Sequence, residues 1–149
     1  SEMCLRDRVL ALAKDMVVTI KVIANSHAHI DHILGVQGVQ AATGAAFLLH
    51  KSALDLLQNG WRGAAERFGI EESQAPPDPS AFVVGGDDVE VAGLKLKTIA
   101  TPGHTPGSVS YYTEGLLFSG DTLFQGSIGR PDLPGGNFEE DMRSITGEL

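Results

Sequence analysis

Apolar positions near the start of the chain recur at helical spacing. Leu5, Val9, Leu12 and Met16 fall on one side of LRDRVLALAKDM, which predicts an amphipathic helix. The next stretch, VVTIKVIAN over residues 17–25, is rich in β-branched side chains and predicts a strand. ILGVQGVQAATG, residues 33–44, predicts a helix that ends at a glycine, with Gly35 and Gly38 weakening it. AAFLLH predicts a short buried strand. KSALDLLQ and WRGAAERFG predict helical pieces that break near Asn59 and Gly60. EESQAPPDPS, residues 71–80, holds three prolines and predicts a loop inside one domain, because the segments on both sides feed one chemical pattern. DDVEVAG, LKLKTIA, SVSYYTEG and GLLFSG follow as strand-like runs separated by turn residues, the pattern of antiparallel strands. NFEEDMRSI predicts a helix capped by Asn137, with Glu140 three residues on. Strands and helices in these numbers predict an α/β protein, a sheet covered by helices.

Composition narrows this picture only a little. A chain of 149 residues is expected to be a single domain over 1–149, and at this size roughly two thirds of the unfolded surface is lost on folding. The formal net charge of -8 argues against nucleic acid or an anionic membrane as the main partner. The one cysteine, Cys4, cannot form an internal disulfide, and nothing near it supplies the cationic setting of a reactive thiol. No stretch approaches the ~20 apolar residues of a membrane span, and no signal-peptide pattern opens the chain. A soluble cytoplasmic protein is the expectation.

The candidate chemistry concentrates in SHAHIDH, residues 26–32, where three of the five histidines and an aspartate fall together. Imidazole nitrogens and carboxylate oxygens are ligands for zinc and similar divalent metals. In an extended segment His27, His29 and Asp31 line one side, and His32 joins them if the chain turns into the helix expected from Ile33. The stretch then offers two ligand sets, His27 with His29 and Asp31 with His32, which suits two metal ions a few ångströms apart. Two further ligands are candidates downstream. His104 lies in TPGHTPGS, framed by prolines and glycines that make a stiff turn, and Asp121 ends the strand in FSGDTLF. A carboxylate has two oxygens and can bridge two metals. His50 ends AAFLLH and is expected to pack or to support the site rather than to bind metal.

Together these residues resemble the metallo-β-lactamase superfamily of metal-dependent hydrolases. SHAHIDH is similar to its HxHxDH motif, and His104 and Asp121 match its next histidine and its bridging aspartate. GDTLFQGSIGRPDLPGG resembles the glyoxalase II-like branch, the hydroxyacylglutathione hydrolases, and particularly their short bacterial relatives. The resemblance implies an αββα sandwich with metals at one edge between the sheets. It implies one metal on His27, His29 and His104, another on Asp31 and His32, and Asp121 between them. Family members also carry a metal histidine in a C-terminal PGH-type segment, and strands with a DPG-like turn before the first helix. Neither is found here, so the expectation is an incomplete sandwich truncated at both ends, with a second metal held only by Asp31, His32 and Asp121. Exposed sheet edges would favour self-association.

The implied chemistry is hydrolysis of a small-molecule thioester such as S-lactoylglutathione by a metal-bound hydroxide, with zinc as the expected metal and iron or manganese as alternatives. Asp31 is the candidate for proton transfer. Arg130, in SIGRPD, either binds a substrate carboxylate or braces its loop. Of Tyr111 and Tyr112, one is expected in the core and the other outward, and Phe124 is expected to pack. A mononuclear iron enzyme resembling persulfide dioxygenases is the first alternative. A metal-binding remnant without turnover is the second, and a β-lactamase is less favoured than either.

Overall fold

The computed structural model describes residues 2–69 and 76–149. The expected helix at the start forms as α1, Glu2–Asp15. The described part of its stripe stays outside the core: Val9 is 37% exposed and Leu12 and Met16 about 60% each, and α1 rests against α3. The Cys4 and Leu5 side chains lie outside the described set. The strand expected over 17–25 shrinks to β1, Val22–Ala24. β1 is the edge of its sheet, so the residues before it have no second strand to lie against, and Val17 is 91% exposed with φ 55. β-branched side chains favour a strand only where a sheet surface receives them.

The helix expected over 33–44 begins earlier and comes in two pieces, α2 (Ile30–Ile33) and α3 (Val36–Thr43), separated at Leu34 and Gly35. Gly44 closes α3 in the left-handed region, its N–H donating to the Gln40 carbonyl at 2.8 Å. β2, Ala46–His50, then runs through the core. The break expected near Asn59 and Gly60 is a π-helical turn over Leu56–Gly60 that leads directly into α4, Trp61–Phe68. Of the expected loop, residues 71–75 lie outside the described residues, and 76–80 are irregular. A strand that the pattern did not predict follows: β3, Ala81–Val83, parallel to β2.

The four antiparallel strands form as expected: β4 (Asp88–Val91), β5 (Leu94–Ala100), β6 (Val109–Thr113) and β7 (Leu116–Phe118). A small ribbon, β8 (Leu123–Phe124) with β9 (Ser127–Ile128), was not predicted. α5 spans Phe138–Gly147, and the Asn137 side chain caps it by accepting from the Glu140 N–H at 3.1 Å.

The layers follow from which side chains each strand buries. β1-β2-β3 form a parallel sheet and β4-β5-β6-β7 an antiparallel one. On β2, Phe47 and Leu49 turn toward the helices, packing with Ile33, Val36, Ala53, Leu57 and Trp61. Leu48 turns the other way, toward a core shared with Val89, Val109 and Tyr111 of the second sheet. Tyr111 is the buried member of the tyrosine pair and donates to the Asn25 carbonyl at 3.2 Å, while Tyr112 is exposed. α5 flanks the second sheet across a groove lined by Lys97, Ile99, Glu140 and Arg143. The result is helices, sheet, sheet, helix. Among the described residues no helix is long and apolar enough to cross a membrane.

Candidate metal centre

β1 and β7 end at the same edge of the two sheets, and the chain segments leaving them meet there. The Val109 N–H of β6 donates to the Ser26 carbonyl at 2.9 Å, joining the sheets at this point. The Asn25 amide donates to the His27 carbonyl at 2.6 Å and fixes the bend after β1. From His27 to His29 the backbone is not helical, and His29 has extended angles at the start of α2. α2 then changes the side-chain period from two to 3.6. This corrects the expected facing of Asp31. The turn brings His32 inward, and the Asp31 side chain points out, 73% exposed.

Five of the candidate residues converge. The ligand atoms of His27, His29 and His104 lie within 4.8 Å of one another, and so do those of His27, His32 and Asp121. His29 Nδ1 is 2.9 Å from His104 Nε2. Asp121 reaches both groups, with Oδ1 at 3.3 Å from His32 Nε2 and Oδ2 at 3.7 Å from His104 Nε2. Asp31 Oδ2 stands 3.7 Å from His32 Nε2, at the rim. His50 belongs to neither group. Its Nδ1 accepts from the Ser52 N–H at 3.2 Å and caps the turn after β2.

The donor atoms fit a divalent metal. His27 Nδ1 is 3.1 Å from Ser26 Oγ, and its Nε2 is buried in the cluster with no hydrogen-bond partner. A buried polar atom left so is costly unless something outside the protein chain satisfies it. Burial, then the neighbouring His32, His29 and His104 rings, holds the His27 imidazole at about 2, far below its ordinary 6.5. Burial and His104 also lower His29, while Asp31 and Asp121 pull it back up. Converging imidazole nitrogens next to a carboxylate form the N and O donor set that zinc and iron accept.

Several supports were not legible as functional residues. His104 Nδ1 lies 3.0 Å from the main-chain carbonyl of Arg130, which directs its Nε2 at the cluster. The Arg130 guanidinium itself forks onto Asp132 at 3.1 and 2.8 Å. Gly129 must be glycine, because a Cβ there would run into the Asp121 carbonyl and press on His104 Nδ1. The loop carrying His104 is clamped by α5. Ser144 donates to the Pro102 carbonyl at 2.6 Å, and the Asn137 N–H donates to the Gly103 carbonyl at 2.8 Å. Thr101, Thr105, Ser108, Ser110 and Thr122 are buried beside it in a web of hydroxyl contacts of 2.9–3.2 Å. The concentration of Thr and Ser around TPGHTPGS was the available signal.

Asp141 is fully buried under the same loop, with neither carboxylate oxygen hydrogen-bonded. Burial pushes its carboxyl up. Phe124, expected to pack, is 44% exposed. It lines a cavity of about 630 Å³ that His29, Asp31, His104, Asp121 and Arg130 also line.

Over residues 1–149 the chain matches the family model described as the metallo-beta-lactamase superfamily. It is 38% identical over 139 residues to the probable metallo-hydrolase YqgX of Bacillus subtilis, covering 91% of this chain and 65% of that protein. It is 28% identical over 145 residues to the hydroxyacylglutathione hydrolase GloC of Haemophilus influenzae, covering 96% and 68% respectively. Among solved structures it is similar to TTHA1623 in a di-iron-bound form, with 34% identity, a TM-score of 0.80, and coverage of 94% of this chain and 69% of that one. The chain thus spans about two thirds of the length of these curated relatives. The layered fold is the αββα sandwich that the motif implied. With motif, fold and family model in agreement along the sequence, the chain belongs to the metallo-beta-lactamase superfamily, whose members are mostly metal-dependent hydrolases.

Proposed function

We propose that this chain carries the metal centre of a thioester hydrolase. The observation that carries the proposal is Asp121, whose two oxygens face His32 and His104, one each. In this assignment His27, His29 and His104 hold one metal. His32 and Asp31 serve a second, and Asp121 joins the two. Bound there, zinc supplies a Lewis acid for the carbonyl and lowers the pKa of water toward neutrality. The protein's own residues do the rest. The His27 imidazole is held unprotonated by its burial, and the Ser26 hydroxyl and the Arg130 carbonyl hold His27 and His104 in orientation. Asp31 stands at the exposed rim, placed to accept the proton that the attacking water gives up. The C–S bond breaks as the new C–O bond forms, and the thiolate needs little acid help to leave.

The similarity to a hydroxyacylglutathione hydrolase supports a thioester, and the similarity to a di-iron-bound structure makes the metal something to measure. The experiment is elemental analysis of freshly purified protein, followed by a thioester panel that includes S-lactoylglutathione. The expected result is about two metals per chain, zinc predominating, and turnover that disappears in His29→Ala. Metal binding with every thioester left intact would overturn the proposal. Iron, with oxygen uptake on a persulfide, would replace it with the dioxygenase alternative.

A further inference from the structure

The cavity beside the cluster has a character that thioester hydrolysis alone does not require. Among the described residues its lining is mostly apolar, with Ile30, Ile33, Leu56, Trp61, Phe124 and Leu133 on it. These come from three separate parts of the chain: α2, the π turn leading into α4, and the segment after Asp121. Ile33 and Trp61 are buried, so the wall is rooted in the helical core and is not a chance surface patch. Of the two cations that line it among the described residues, Arg130 has its Nε and Nη2 engaged by Asp132, and Arg67 is exposed on α4. The acidic groups on it, Asp31 and Asp121, belong to the candidate centre. A charged tripeptide such as glutathione needs fixed counter-charges, and the described residues of this lining offer two arginines, one of them engaged by Asp132. A cavity of this volume with a mostly apolar lining and a few polar groups takes an apolar body and orients it by its polar end.

We propose that the acyl group processed here is apolar: the centre takes thioesters of aryl or medium-chain aliphatic acids, with the acyl body against Trp61, Leu56 and Phe124. This rests on the hydrolase assignment above. The reaction is RC(O)SR′ plus water giving RCO2H and R′SH. The carbonyl carbon gains an oxygen and loses sulfur, and the proton passes to the leaving thiolate.

Trp61 is the only tryptophan in the chain, so its emission reports the cavity without any turnover. The metal-replete protein is titrated with 4-phenylbutyrate, lactate and glutathione. The inference expects a saturable change in emission with 4-phenylbutyrate at a concentration about ten-fold or more below that needed for the other two. Phe124→Ala, at an exposed position where the fold is not at risk, should weaken 4-phenylbutyrate by several-fold. The phenylacetyl and lactoyl thioesters of N-acetylcysteamine are then compared. The phenylacetyl ester should have the higher kcat/KM by about ten-fold, and Phe124→Ala should raise its KM more than it lowers its kcat. If 4-phenylbutyrate binds selectively but no thioester is cleaved, the hydrolase assignment fails and the apolar site stands. If thioesters are cleaved but the lactoyl ester is preferred, or if glutathione binds as tightly as 4-phenylbutyrate, the apolar site fails and the hydrolase assignment stands.

Discussion

The two sides of the cluster are built differently. On one side His27 and His104 are 1% and 2% exposed, and each has its outer nitrogen engaged, by Ser26 Oγ and by the Arg130 carbonyl. On the other side the His32 and Asp121 side chains are more than a quarter exposed, and Asp31 far more. Among the described residues, the polar contacts of these three side chains are with one another and with His104. The first side is oriented before any metal arrives, whereas the second depends on the metal to order it. Ligands held by outer hydrogen bonds bind more tightly than ligands left to find their own rotamers. The expectation is one strong site and one weaker site within a few ångströms.

The largest effect should come from removing a ligand on each side in turn. His104→Ala takes away the contact to His29 and one of the two contacts of Asp121. It should release metal from both sides and reduce thioester turnover to background. His32→Ala should release only about one metal per chain and leave the buried one in place. Elemental analysis after gel filtration measures both. Equal losses in the two variants would mean that the sides are not separable and that the comparison is wrong.

Next in size is Gly129→Ala. The added methyl would press on the Asp121 carbonyl from one direction and on His104 Nδ1 from another. A strained insertion of this kind costs about 1–3 kcal/mol, read as a lowered unfolding midpoint in denaturant. It should also weaken both metals, because Gly129 touches a residue from each side. If only one metal weakens, the two sides are less coupled through this glycine than the geometry indicates.

The same asymmetry marks what the sequence could tell. The candidate ligand residues were legible because histidines and aspartates rarely gather at such spacing without a metal, and that signal needs no tertiary knowledge. The facing of Asp31 was not legible. Whether HIDHIL continues as extended chain or begins a helix is decided by packing of Ile30 and Ile33 against the core, which a local pattern cannot weigh. The supports were hidden for another reason. The group that orients His104 is a main-chain carbonyl 26 residues away, and a carbonyl has no residue type to read. Strand positions show the same limit. Val17 and Val18 have strand-forming side chains but lie outside β1, because the edge of the sheet gives them nothing to pack on. β3 was missed because three residues, two of them exposed, carry too short an alternation to detect.

A pH titration of the metal-free protein sharpens the comparison further. The folded His27 imidazole sits at about 2 against an ordinary 6.5, so the unfolded chain binds a proton that the folded chain refuses. A depressed value stabilises the fold above the unfolded pKa. That contribution is lost progressively as pH falls from about 6.5 toward 2. After chelation, the thermal midpoint should therefore decline below about pH 6.5, and the metal-loaded protein should decline at least as steeply, because bound metal keeps the imidazoles unprotonated while the unfolded chain still takes up protons. His32→Ala should leave most of the slope, since the depressed group is on the buried side. A midpoint in the metal-free protein that stays level from pH 6.5 downward would mean that the fold does not hold His27 unprotonated.

The smallest expected effect tests the supports themselves. Ser26→Ala removes the hydroxyl 3.1 Å from His27 Nδ1 and leaves every ligand in place. Ser26 also meets the backbone near Gly120, so the methyl must occupy space that the hydroxymethyl group already fills, and the fold should be kept. Losing such an outer partner costs roughly ten-fold or somewhat more in metal affinity. Competition with a chelator measures it, and the loss should fall on the buried metal alone. Asp31→Asn is the matching change at the exposed rim. It should weaken the other metal more than the buried one, because the printed contact of the Asp31 carboxylate is with His32, at 3.7 Å. If both substitutions weaken both metals alike, the cluster behaves as one pool of ligands, and orientation by outer hydrogen bonds is not what distinguishes its two sides.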